Sequence, residues 1–159
     1  MIEASIIVIT DATDPRLEAL VPMFEDLHAG LRGMGMMRQL APDGARLWIA
    51  GVRLGLERFN RMVIAQQGDE VVGFTSGSIK LAPEYLGGAK VGHWTHIYVT
   101  APHRRGGISH GMAEKMHEWF NEKGVSSIET EVARDHPSSV HFAESYGFQL
   151  EWTSLRKLL

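Results

Sequence analysis

The pattern of these 159 residues predicts an α/β domain with a mixed sheet and helices packed on it. Short β-branched runs alternate with longer stretches whose apolar residues recur at helical spacing, and glycine or proline punctuates most junctions. With 44% apolar against 22% charged residues, the chain can bury a real core. Its length fits a single domain over residues 1–159, and no internal repeat or linker divides it.

Ala4 to Ile9 is a β-branched run that reads as a buried first strand. Asp14 before Pro15 is an N-cap followed by proline at the first helical position, so a helix starts there. Leu17, Leu20, Val21, Phe24, Leu27 and His28 continue it at helical spacing, with Pro22 expected to bend it or end it early. Gly30 to Met37 mixes glycines with adaptable methionines, which suits a mobile flap over a pocket and a plain loop equally. Pro42 to Arg58 predicts a second helix with Leu47, Trp48, Ala50, Gly51 and Leu54 turned inward, although Gly51 and Gly55 weaken it.

Met62 to Ala65 and Val71 to Leu81 read as strands joined across Gln67, Gly68 and Asp69, the composition of a hairpin turn. Pro83 to Gly88 is a loop and Gly92 to Val99 the next strand. Ile108, Met112, Ala113, Met116, Trp119 and Phe120 then space a helix that Gly124 stops. Val125 to Ala133 alternates as a strand, and Pro137 opens a short helix to Tyr146. After Gly147, the residues Phe148, Leu150 and Trp152 predict a last strand.

Composition excludes several function classes. The chain has no cysteine, which removes disulfides, thiolate catalysis and thiolate metal sites. Met1 to Thr10 lack the pattern of a signal peptide, and no apolar run approaches a membrane span, so a cytoplasmic location is the default expectation. A net charge of -3 argues against non-specific nucleic-acid binding, which needs a broad basic surface.

Basic charge is instead local. Between Thr100 and Ala113, where a strand-like run gives way to a helix-like one, lie His103, Arg104, Arg105, Gly106, Gly107, Ile108 and Ser109, with no acidic residue. Glycines let backbone amides converge on an anion, the following helix offers the positive end of its dipole, and two guanidiniums add fixed charge. This predicts a phosphate cradle. A Walker A lysine is missing, and adjacent Gly106 and Gly107 do not make the dinucleotide fingerprint Gly-x-Gly-x-x-Gly.

The segment Arg104, Arg105, Gly106, Gly107, Ile108, Ser109 resembles the acyl-CoA motif of the GNAT-type N-acetyltransferase superfamily: Gln or Arg, two residues, Gly, one residue, then Gly or Ala. Tyr98 and Val99 stand where the family has a hydrophobic residue and then Val, and Tyr146, Gly147 and Phe148 match its helix ending in Gly-Phe. The resemblance covers Ile6 to Leu155 and implies a mixed, mostly antiparallel central sheet with helices packed on it. It also implies acetyl-CoA as acyl donor, bound by the amides of Arg105 to Ser109 and by Arg104 or Arg105. Backbone groups of Tyr98 and Val99 would meet the pantetheine arm, with Ser139 a further contact. The implied acceptor is the amine of a small molecule or peptide.

Acid and base depart from the family pattern. A lysine-like amine is deprotonated about once in 10³ molecules at pH 7, so base assistance is worth about 4 to 5 kcal/mol. The family's usual Glu position falls on Thr95, which cannot serve; His93 and His96 flank it and are the candidate bases. Strand alternation puts His93 with Thr95 and Ile97 on one face and His96 on the other, unless a bulge changes the parity. The tyrosine that protonates the leaving sulfur falls on Ala143, and the Asn that begins the last helix falls on His136, leaving Tyr146 as a substitute acid. His93, His96, His103, His110 and His117 bring no carboxylate at a convincing ligand position, so no metal is expected. A catalytically degenerate CoA-binding module is the alternative, and a protein for ATP or NAD a third reading. Pairing through sheet edges or the last strand leaves a homodimer open.

Overall fold

The computed structural model describes residues 3–159; Met1 and Ile2, at the start of the segment read for a leader, lie outside the described residues. Five strands, β1 (Ser5–Ile9), β2 (Asn60–Gln67), β3 (Glu70–Leu81), β4 (Lys90–Val99) and β5 (Ser127–Thr130), form one sheet in that order. The first three pairings are antiparallel and β4 with β5 is parallel, which bears out a mixed, mostly antiparallel sheet. Helices α1 (Leu20–Gly33) and α2 (Gly44–Gly55) precede β2, α3 (Ile108–Glu122) crosses from β4 to β5, and α4 (Pro137–Ser145) follows.

Both faces of the sheet are covered, and β2 shows why its apolar run is uninterrupted. Met62 and Ile64 pack with α1 and α2, whereas Val63 and Ala65 pack with α3; all four are fully buried. On the α3 side the helix comes so close that a Cβ on Gly92 would sit 2.7 Å from the Phe120 ring. Glycine there leaves room for the Phe120 ring against the strand.

Several local expectations are corrected. A 3-10 turn at Pro15–Ala19 takes up the Asp14 cap, and α1 restarts at Leu20. Pro22 therefore falls in the first turn, where its missing N–H breaks no helical bond, and no early end results. In α2 the buried stripe is Ala45, Ile49 and Val52, while Leu47 and Leu54 face outward, because the inward face follows that three-to-four spacing.

The expected strand at Phe148, Leu150 and Trp152 does not form. Phe148 packs on Trp94 and His117, but residues 149–159 make no backbone hydrogen bond among the described residues and carry Leu150, Trp152 and Leu155 exposed. Alternation alone does not supply a partner edge. Among the described residues, no helix is long and apolar enough to cross a membrane.

Candidate active site

Strands β4 and β5 stay paired only from Val91 to Trp94, and there they part. From Thr95 to Val99 the outer edge of β4 has no neighbouring strand. Thr100 N–H bonds the Val72 carbonyl across to β3, so antiparallel alternation turns the backbone of Val99 toward the open side and that of Tyr98 toward β3. A chain-like ligand could pair with this edge as an added strand.

At the end of that edge lies the glycine loop. Arg105 holds φ 66° and Gly107 φ 81°, left-handed conformations that curve the backbone. The amides of Arg105, Gly106, Gly107, Ile108, Ser109 and His110 find no backbone acceptor among the described residues; the first bond of this stretch is Gly111 N–H to the Gly107 carbonyl. Successive unpaired donors at a helix N-terminus make an anion site. The two arginines then separate in role. Arg104 Nε donates to the Val99 carbonyl at 2.8 Å and its guanidinium lies over the Tyr98 ring, whereas Arg105 is exposed and has no partner among the described residues.

Below the splay lies a cavity of about 100 Å³. Leu27 and Leu31 of α1, residues 94–97 of β4, residues 130–133 after β5, and His136, Ser139, Phe142 and Ala143 surround it. The structure thus brings His96 and Ser139 together. His93 and Tyr146 are not among the lining residues. Tyr146 packs on His117 and Trp94 and shares a hydrogen bond with His110 Nδ1, on the α3 side; burial raises its phenol pKa, with Glu114 adding to the effect.

A bulge decides where the histidines point. Ser76 pairs with His96 and Gly77 with Trp94, so Thr95 is an extra residue in β4. Gly92 and Trp94 face α3, which puts His93 on the opposite face. Beyond the bulge His96 also turns to the α1–α2 face, with Phe24 5.0 Å and Trp48 5.5 Å from its ring. Both histidines share one face, unlike the simple alternation. Burial lowers the His96 pKa to about 4, and neighbouring His28 and His93 push the same way.

Sequence reading missed Ser76, which sits on a neighbouring strand with no motif to mark it. Its Oγ lies 3.1 Å from His96 Nδ1 and 2.8 Å from Thr95 Oγ1. It also missed Glu131, an exposed carboxylate at the cavity rim. The strand alternation of residues 125–133 had placed Glu131 beside Thr130 without showing that the splay opens there.

Comparison with known proteins agrees with this architecture. The fold is similar to a transcriptional regulator from Bacillus halodurans C-125, at TM-score 0.75 and 20% identity over 98% of this chain and 99% of that one. Aminoglycoside N-acetyltransferase AAC(6')-Iy in complex with CoA matches at TM-score 0.74 and 14% identity, covering 98% and 95%. Ribosomal-protein-alanine N-acetyltransferase from Brucella melitensis biovar Abortus 2308 matches at 0.69 and 17%, covering 98% and 99%. No curated protein sequence matches the chain. A profile of the acetyltransferase (GNAT) family matches residues 41–148, which include the hairpin, the splayed edge, the cradle and α4, and the chain therefore belongs to that family of N-acetyltransferases.

Proposed function

We propose that this chain transfers the acetyl group of acetyl-CoA to an amine of a small molecule or peptide, by direct attack in a ternary complex. The observation that carries the reading is continuity: unpaired amides at 105–110, an open strand edge ending at Val99, and a cavity holding His96 follow one another along β4. The amides of Arg105 to Ser109 and the Arg105 guanidinium bind the pyrophosphate. Val99 offers its outward backbone to the pantetheine arm in place of Arg104, and Ser139 offers a hydroxyl beside it.

In the transfer the amine nitrogen forms a bond to the thioester carbonyl carbon, and the carbon–sulfur bond breaks with its electron pair going to sulfur. His96 takes the proton that the nitrogen sheds, which is held far less firmly once the nitrogen is acylated. The thiolate needs little help: a thiol of pKa about 8.5 costs only about 2 kcal/mol to leave ionised at pH 7. With Ala143 at the cavity and Tyr146 on the α3 side, no side-chain acid is assigned to it.

An acceptor screen with thiol detection tests the reading. CoA-SH release that depends on an added amine, with the acetylated amine seen by mass spectrometry, is the expected result. Acetyl-CoA binding without release against a broad amine panel selects the degenerate binding module, a reading motivated by Thr95 and Ala143 in the cavity wall. Stabilisation by ATP or NAD but not by acetyl-CoA overturns both.

A further inference from the structure

We propose that the acceptor is a weakly basic amine which enters uncharged, such as a peptide α-amine, and that Ser76 and Thr95 select for it by holding His96 as the Nδ1–H tautomer. This rests on the acetyl-transfer reading above and adds the class of amine to it.

Three contacts fix the tautomer. Thr95 Oγ1 is 2.9 Å from the Ser76 carbonyl and 2.8 Å from Ser76 Oγ, and Ser76 Oγ is 3.1 Å from His96 Nδ1. The hydroxyls carry one proton each. All three contacts are hydrogen bonds only if Thr95 donates to the carbonyl, Ser76 donates to Thr95, and His96 Nδ1–H donates to Ser76. The opposite assignment, with Ser76 donating to the ring, gives up one bond. His96 Nε2 is then left with its lone pair and no hydrogen-bond partner among the described residues, on a side chain that lines the cavity. It can accept an N–H and offers no donor of its own.

The surroundings keep that acceptor neutral. Around the ring stand Phe24 and His28 from α1, Trp48 from α2, Ser76 from β3 and His93 from β4. Across the cavity stand His136, at the start of α4, and Glu131 after β5. Burial among these rings is the main reason that a positive charge on His96 is disfavoured, with His28 and His93 pushing the same way, and Glu131 is exposed at the rim, where solvent screens it. An ammonium group would have to lose its water among Leu27, Leu31, Trp94 and Ile97, with no buried carboxylate to receive it. A lone pair on the attacking nitrogen has to be present on arrival. At pH 7.5 about a third of an α-amine is uncharged, against about one lysine side chain in 800. The neutral lysine amine is the better nucleophile, which returns part of that difference.

Two peptides of one sequence test this on the full chain with acetyl-CoA: one with a free α-amine and no lysine, the other N-terminally blocked with one lysine. The expected result is at least about tenfold higher kcat/KM for the α-amine at pH 7.5, rising with pH until that amine's own pKa. Long-range ¹H–¹⁵N spectra should show His96 protonated at Nδ1. Ser76→Ala should lower kcat with little change in the KM for acetyl-CoA and release the tautomer, whereas Ser76→Thr should retain both. Faster transfer to the lysine peptide, a profile that levels below about pH 7, short of the α-amine's own pKa, or an Nε2–H spectrum overturns this inference while leaving acetyl transfer intact. Bound acetyl-CoA with no transfer to either peptide, nor to any amine of the wider screen, overturns both.

Discussion

Arg104 Nε donates to the Val99 carbonyl across 2.8 Å, so the first arginine of the loop is folded back onto the strand it follows, and its neighbour Arg105 is left to face solvent. The two residues are adjacent in sequence and opposite in use. Arg105→Ala should leave the melting temperature within about 2 °C and raise the KM for acetyl-CoA about tenfold, the size of one charge-assisted hydrogen bond. Salt should narrow the difference between wild type and variant. Arg104→Ala should instead destabilise the fold by about 1 kcal/mol, read by urea denaturation. Equal effects of the two substitutions on acetyl-CoA affinity would refute the division.

Tyr146 is the test of the missing acid. Its hydroxyl is engaged with His110 and its ring with His117, away from the cavity. Tyr146→Phe should keep kcat within about twofold and cost no more than about 1 kcal/mol of stability, since the bond is exposed. A loss of kcat beyond tenfold at unchanged stability would restore the tyrosine to the proton-transfer machinery.

Gly92 is a packing position, not a flexible one. An added Cβ would meet three atoms of the fully buried Phe120 ring at 2.7, 2.8 and 3.1 Å. Gly92→Ala should cost about 1 to 3 kcal/mol through overpacking, with the urea m-value unchanged. Unaltered stability would mean that α3 can move away from the sheet.

The buried imidazole makes stability depend on pH. His96 has its folded-state pKa lowered from 6.5 to about 4, first by burial and then by His28 and His93. Above pH 6.5 both folded and unfolded chains hold it neutral, and the full contribution is present. As pH falls toward 4 the unfolded chain binds the proton more readily, so stability is lost, by roughly 2 kcal/mol at pH 5. Urea midpoints at pH 7.5 and pH 5 for wild type and His96→Gln measure this; the variant should lose less on acidification. Parallel acid curves for the two proteins would show that the ring titrates freely in the fold.

Much of the molecule was legible in the sequence because its signals are local. Spacing found α3, the hairpin and the strand that feeds the loop, and residue types found the turn that joins Val99 to Ile108. What stayed hidden depends on neighbours distant in the chain. The alternation of Phe148, Leu150 and Trp152 is a strand pattern, yet no strand edge lies beside it, and residues 149–159 make no backbone hydrogen bond. The inward face of α2 was misassigned at Leu47 and Leu54 because a helix with apolar residues on two sides does not say which side meets a sheet.

The sequence by itself determined the α/β layering and the glycine turn ahead of α3, since periodicity and glycine placement act over a few residues. Tertiary structure alone decided where the β4 histidines point. One extra residue at Thr95 reverses strand parity, turns His96 onto the face of His93 and His28, and brings its ring to Ser76, twenty residues away in the chain. Such a shift depends on how two strands pair, and pairing is a property of both strands at once.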